Sequence, residues 1–162
     1  MYQPYPQNTQ LPETQRPTAP ASVLNAVRVM YVGAATSILG IVLDVLTVSA
    51  TKKAIEKRSP HLSVSQINSS QHVLVIAFII GGLIGAAAWF FIARSCLGGK
   101  NWARITGTVL FGLATVDTLG GLSAPIAGVV KIWAILVWLV GLTAVVFLWR
   151  RSSTEFFKAT PE

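Results

Sequence analysis

Residues 73–93 read VLVIAFIIGGLIGAAAWFFIA, an unbroken apolar run with no charged side chain. A helix needs about 20 mostly apolar residues to cross the hydrocarbon core of a bilayer, and lipid offers backbone groups no hydrogen-bond partners, so the run reads as a membrane-spanning helix. Three further runs share its character, at 29–50, 105–122 and 129–149, separated by short charged or Gly- and Pro-containing breaks. The third is a near-minimal span interrupted by glycines. The expected fold is all-α: a four-helix transmembrane bundle over residues 22–158, between a tail at 1–21 and a short tail at 159–162.

Composition agrees. Hydrophobic residues make up 52% of the 162 and charged residues 12%, roughly half the charged share of a soluble domain. The chain has room for one four-helix unit and its tails, and none for a second folded domain. A formal charge of +7 would suggest nucleic acid if the basic residues shared a face, but they sit at the ends of spans. Charges placed there act as topology signals and headgroup contacts, so membrane lipids are expected partners and nucleic acid is not. Cys96 is the only cysteine, which rules out an internal disulfide and a thiolate metal cluster.

Residues 1–21 hold five of the eight prolines (Pro4, Pro6, Pro12, Pro17 and Pro20) among Gln, Thr and Asn. Such a segment buries too little surface to offset its ordering entropy and is expected to be a disordered tail. It lacks the basic start and adjoining apolar core of a secretory signal. An even number of spans puts both termini on one side. Eight basic residues (Arg16, Arg28, Arg94, Lys100, Arg104, Arg150, Arg151 and Lys158) share that side with the second-to-third connection, against five (Lys52, Lys53, Lys57, Arg58 and Lys131) on the other. The positive-inside rule then expects a multi-pass plasma-membrane protein with cytoplasmic termini.

The breaks carry helix punctuation. Gly98 and Gly99 supply the permissive backbone that ends the second helix, and Asn101 is placed to cap the third. Pro60 stops a helical extension of the first span through Lys52 to Arg58. Ser63 and Gln66 have capping-box spacing, with Leu62 and Ile67 spaced for a hydrophobic staple. The first two helices are therefore expected to project beyond the membrane as a polar stalk. Pro125, among Gly120, Gly121 and Gly128, makes the last connection a short turn.

Small and polar residues recur at helical spacing in three spans: Gly33, Ser37, Gly40, Asp44 and Thr47; Gly81, Gly85 and Ala88; Ala103, Gly107, Ala114, Asp117 and Gly121. Steps of three and four residues return to one face, and small residues let membrane helices approach closely. Asp44 and Asp117 are the candidate functional residues on these stripes. A carboxylate in the apolar layer costs roughly 2.5–3.5 kcal/mol on insertion scales and usually faces a bundle interior. Counted at about 1.5 Å per residue, the two sit at similar depth, outward of the span centres. If the first and third spans touch, the carboxyls meet and hold a proton between them, the chemistry of a proton or cation site. Otherwise each is protonated or bonded to a hydroxyl such as Thr47, Thr115 or Thr118, or one pairs with Lys131.

No catalytic constellation is present in the sequence. His61 and His72 lack further ligands at zinc spacing, and the serines lack a nucleophile elbow, so neither a catalytic residue, a metal nor a cofactor is expected. Arg94, Lys100, Arg104, Arg150 and Arg151 are candidate headgroup contacts. Trp102, Trp133 and Trp149 are placed as interfacial anchors, while Trp89 and Trp138 lie deeper and are expected to pack.

The segments LNAVRVMYVGAA (24–35), GKNWARI (99–105) and VVFLWRRSS (145–153) followed by FF (156–157) resemble those of small four-span membrane proteins of actinobacteria that carry a Pro-rich leader. The resemblance covers most of 21–157 and implies a multi-pass membrane protein without implying an activity. Small multidrug transporters are similar in size, but they place an acidic residue near the middle of the first span, and Asp44 lies further outward. The expected role is a non-enzymatic accessory or scaffold subunit that contacts lipids and, through the stalk, a larger membrane complex; assembly with itself as a homo-oligomer would instead favour transport. The competing expectation is a small proton- or cation-coupled transporter or channel subunit using Asp44 and Asp117.

Overall fold

The computed structural model describes residues 18–58, 60–61, 63–124 and 128–160. Residues 1–17 of the expected tail, Leu62 of the staple and Pro125 lie outside them. Among the described residues six helices follow one another: α1 (Ala21–Leu46), α2 (Val48–Arg58), α3 (Val64–Leu97), α4 (Asn101–Ser123), α5 (Gly128–Leu148) and α6 (Arg151–Ala159). The four expected runs are its four long helices, α1, α3, α4 and α5, each long and apolar enough to cross a membrane. α1 packs on α3 and α5, and α4 packs on the same two helices, so α1 and α4 occupy opposite corners of the bundle.

The end of the bundle that carries the start of α1, the α3–α4 turn and α6 is its base; the other end carries the stalk. At the base, the last turn of α3 closes with a Schellman arrangement. The Lys100 amide donates to the Ser95 carbonyl at 3.2 Å, the Gly99 amide donates to the Cys96 carbonyl at 3.0 Å, and Gly99 takes a positive φ of 72°. Only a residue without Cβ accepts that conformation cheaply. Asn101 is already the first helical residue of α4. The capping position belongs to Lys100, whose extended backbone (φ −74°, ψ 111°) carries no side-chain cap. The two-glycine turn is one residue shorter than expected, which moves Asn101 inside the helix.

At the other end the capping box forms. The Ser63 hydroxyl accepts from the Gln66 amide at 3.3 Å, and the Gln66 side chain accepts from the Ser63 amide at 2.9 Å. With 34 residues, α3 is about 51 Å long, well beyond a hydrocarbon core of roughly 30 Å. Its first turns form the stalk with α2, and Thr51, Ile55 and Ile67 are buried along that pair. The first span and its extension are not one continuous helix. Thr47 leaves helical geometry (φ −101°, ψ 7°), its hydroxyl donating to the Leu43 carbonyl at 2.7 Å. Such back-bonding by a β-branched residue bends a helix. Two cations close the end of α4: Arg58 donates to the Ser123 carbonyl and Lys131 to the Leu122 carbonyl, each at 2.7 Å. Positive charge at a helix C-terminus is favourable.

The small-residue stripe of α1 is a packing face. An ideal Cβ on Gly33 would stand 2.8 Å from the Trp89 ring of α3, and one on Gly40 would stand 2.9 Å from Trp133 Nε1 of α5. Trp133 thus packs on α1 rather than serving only as an interfacial anchor. Trp89 also reaches Gly141 of α5, whose Cβ would lie 3.6 Å from Cη2. On α3 the glycines that face α1 are Gly82 and Gly85, against Ile41 and Ser37, while Gly81 meets nothing within 4 Å. The literal Gly81–Gly85 pair is therefore split, because Gly82 and Trp89 lie round the helix to one side of Gly85 and Gly81 to the other. On α4 only the base half of the stripe packs: Ala103 is buried and Gly107 meets Ile92, whereas Gly121 is open and Ala114 exposed.

The tightest packing lies at the base, partly outside the predicted spans. Val23, Ala26, Val27 and Met30 of α1 join Ile92, Ala93 and Cys96 of α3, Ala103 of α4, Ala144 and Leu148 of α5, and Phe156 and Phe157 of α6. α6 is pinned by hydroxyls: Ser153, fully buried, donates to Ser22 at 2.7 Å, and Ser22 meets Ser152 at 2.8 Å. By contrast, no residue in the most apolar windows of α3 and α4 is buried, and only 11% and 17% are in those of α1 and α5. Apolar surface this extensive is untenable in water and ordinary in lipid.

Candidate functional site

The two carboxylates are not brought together. Asp44 is half-buried on the α3 side of α1, where it lines a cavity of about 10 Å³ with Val48 and Thr51 of the α1–α2 arm and Gln71, Leu74, Val75 and Phe78 of α3. A space of that size holds about one water-sized occupant. Asp117 is exposed on α4, across the bundle. Similar depth does not make a pair when the helices that carry the two groups are diagonal. A shared proton between them therefore has no structural basis, and any ion chemistry falls to Asp44 with its amide and hydroxyl neighbours.

The proposed hydroxyl and lysine partners are engaged elsewhere. Thr47 donates to Leu43, Thr115 to the Phe111 carbonyl at 2.8 Å, Thr118 to the Ala114 carbonyl at 2.8 Å, and Lys131 to Leu122. Each satisfies a backbone acceptor of its own or a neighbouring helix. Thr115 also accepts from Trp138 Nε1 at 2.9 Å, and the Phe111 and Trp138 rings lie 5.6 Å apart. This cluster joins α4 to α5, so Trp138 packs as expected.

The five basic candidates separate into two classes. Arg94, Lys100, Arg150 and Arg151 are exposed around the base. Arg151 pairs with Glu155 at 3.1 Å, both side chains largely in solvent, an arrangement that contributes at most about 1 kcal/mol. Arg150 lies over the Phe147 ring at 4.9 Å. Arg104 differs: it is 6% exposed, with its guanidinium carbon 3.8 Å from the centre of the Trp149 ring and 5.7 Å from that of Phe157. Trp149 is itself fixed by an indole N–H donated to Thr108 at 2.9 Å, and Thr108 donates to the Arg104 carbonyl at 2.9 Å. Arg104 is thus a buried cation at the heart of the base rather than one flanking charge among several. Phe157 of α6, a helix that packs on α1 and α5, is its second aromatic neighbour.

Sequence reasoning missed α6 as a packed helix. The signal was present in Ser153, Phe156 and Phe157, spaced to lie on one helical face with Arg151, Glu155 and Lys158 on the other. Among the described residues, no group of three or more His, Cys, Asp or Glu side chains converges to hold a metal ion. Comparison with protein families, with curated proteins and with solved structures found no match to this chain.

Proposed function

We propose that the chain is a non-enzymatic accessory or scaffold subunit of the plasma membrane, multi-pass, with its termini in the cytoplasm. The observation that carries this reading is the division of the bundle into a tightly packed base and spans whose apolar faces stay uncovered, with the centre closed by Trp89 against Gly33 and Gly141. A body so arranged holds its own shape at one end and offers long helices to lipid or to the helices of a larger complex. The stalk adds a polar surface on the opposite side. Affinity capture in mild detergent tests the proposal. A stoichiometric larger membrane partner is the expected result, and a chain that purifies alone as a homo-oligomer would contradict it.

A second reading, a proton- or cation-coupled transporter subunit, is favoured by one observation: Asp44, Thr51 and Gln71 line a common cavity. It now rests on Asp44 alone. Asp44→Asn is expected to abolish coupled flux in reconstituted vesicles and Asp117→Asn to leave it intact. Flux that survives Asp44→Asn would remove this reading.

A further inference from the structure

We propose that Arg104 is the receptor for a phosphate group, supplied by an anionic phospholipid headgroup at the base of the bundle. A buried cation is costly unless an anion or a set of acceptors compensates it. At 6% exposed, Arg104 has an enclosed Nε that meets no hydrogen-bond partner, and the one ion pair among the described residues joins Arg151 to Glu155. No ion pair within the described residues supplies its counter-charge.

The geometry selects its chemistry. The guanidinium carbon lies 3.8 Å from the centre of the Trp149 ring and 5.7 Å from that of Phe157, and Nε alone is both enclosed and without a partner, so the terminal N–H groups are the donors available for bonding. That planar fork matches the oxygens of a phosphate, and stacking on aromatic rings preorganises it. Trp102 and Trp149 are both exposed at this end of the bundle, as indoles at headgroup level are. Arg94, Lys100 and Arg150, all exposed at the same end, draw anionic lipid toward the base. Their attraction is diffuse and screened by salt, whereas an enclosed guanidinium is screened far less. The division of labour is that the exposed cations concentrate the lipid and Arg104 binds its phosphate. This inference uses only the membrane setting of the base, so it stands or falls independently of the accessory role.

The test uses the full chain in mild detergent, supplied with phosphatidylglycerol or phosphatidylcholine, washed at high salt and examined by native mass spectrometry. Wild type is expected to retain stoichiometric phosphatidylglycerol in preference to phosphatidylcholine. Arg104→Gln is expected to lower that retention about tenfold, the loss of charge-assisted hydrogen bonds. Arg104→Lys should fall between, and a combined Arg94→Gln and Arg150→Gln variant should retain the lipid through the wash. Cys96, fully buried beneath the base, reports folding: it must stay unreactive to maleimide in each variant compared. Unchanged retention in Arg104→Gln, or equal retention of phosphatidylcholine, would overturn the proposal. Displacement of the lipid by excess inorganic phosphate would assign the site to free phosphate and overturn the lipid source. Release of a stoichiometric protein in place of lipid would assign the guanidinium to an acidic partner and likewise overturn it.

Discussion

Placing a methyl group on Gly33 strikes the bundle at its centre. The added Cβ would stand 2.8 Å from Cδ2 and Cε2 of Trp89 and 3.1 Å from Cζ2, where carbon atoms ordinarily keep about 3.5–4.0 Å. The ring must retreat by about 0.7–1.2 Å, yet its far edge already approaches Gly141, against which Phe111 is also packed. Overpacking of this kind costs roughly 1–3 kcal/mol, while removing a mid-helix glycine returns about 0.5–1 kcal/mol. Gly33→Ala is therefore expected to destabilise by about 1–2 kcal/mol, a five- to thirty-fold shift in the folded-to-unfolded ratio. Gly81→Ala and Gly112→Ala are the controls, because nothing lies within 4 Å of either added Cβ. Both should be neutral or slightly stabilising. Reversible unfolding in mixed micelles with rising SDS, followed by tryptophan fluorescence, measures all three, and Trp89→Phe in the Gly33→Ala background should recover part of the loss. A Gly33→Ala protein as stable as the Gly81→Ala control would refute the assignment of Trp89 to the α1–α3 interface.

Two further outcomes follow from the ends of the molecule. Ser63→Ala removes the hydroxyl half of the capping box and leaves the residue-63 amide still donating to Gln66; it should cost about 0.5–2 kcal/mol at the start of α3, seen as faster amide exchange in its first turn with the spans unchanged. Phe157→Ala empties a buried site against the base, for a loss of about 3–5 kcal/mol. It should undock α6 and expose Cys96 to maleimide labelling; a thiol that stays unreactive would show that α6 is not what seals the base.

Much of this architecture was legible in the sequence because it is local. Apolar runs are contiguous, and the Ser63–Gln66 box and the Gly98–Gly99 turn are set by residues a few positions apart. What escaped was non-local. A stripe of small residues identifies the face of α1 that packs but not the helix it meets, so the equal depth of Asp44 and Asp117 suggested a pair that the diagonal placement of α1 and α4 denies. Arg104 resembled the other basic residues at span ends, since the rings beside it, Trp149 and Phe157, come from about fifty residues later. The core residues of the base, from Val23 to Phe157, come together only when both ends of the chain meet.

The claim beneath all of this is that lipid covers the exposed faces of α1, α3, α4 and α5, with the stalk and the base on opposite sides of the bilayer. Single-cysteine variants in a Cys96→Ala background test it directly: Ser69→Cys for the stalk and Lys158→Cys for the base, probed with a membrane-impermeant maleimide in intact cells and after permeabilisation. The account predicts labelling of the stalk position in intact cells and of the base position only once the membrane is opened. Labelling of both positions from one side would contradict it.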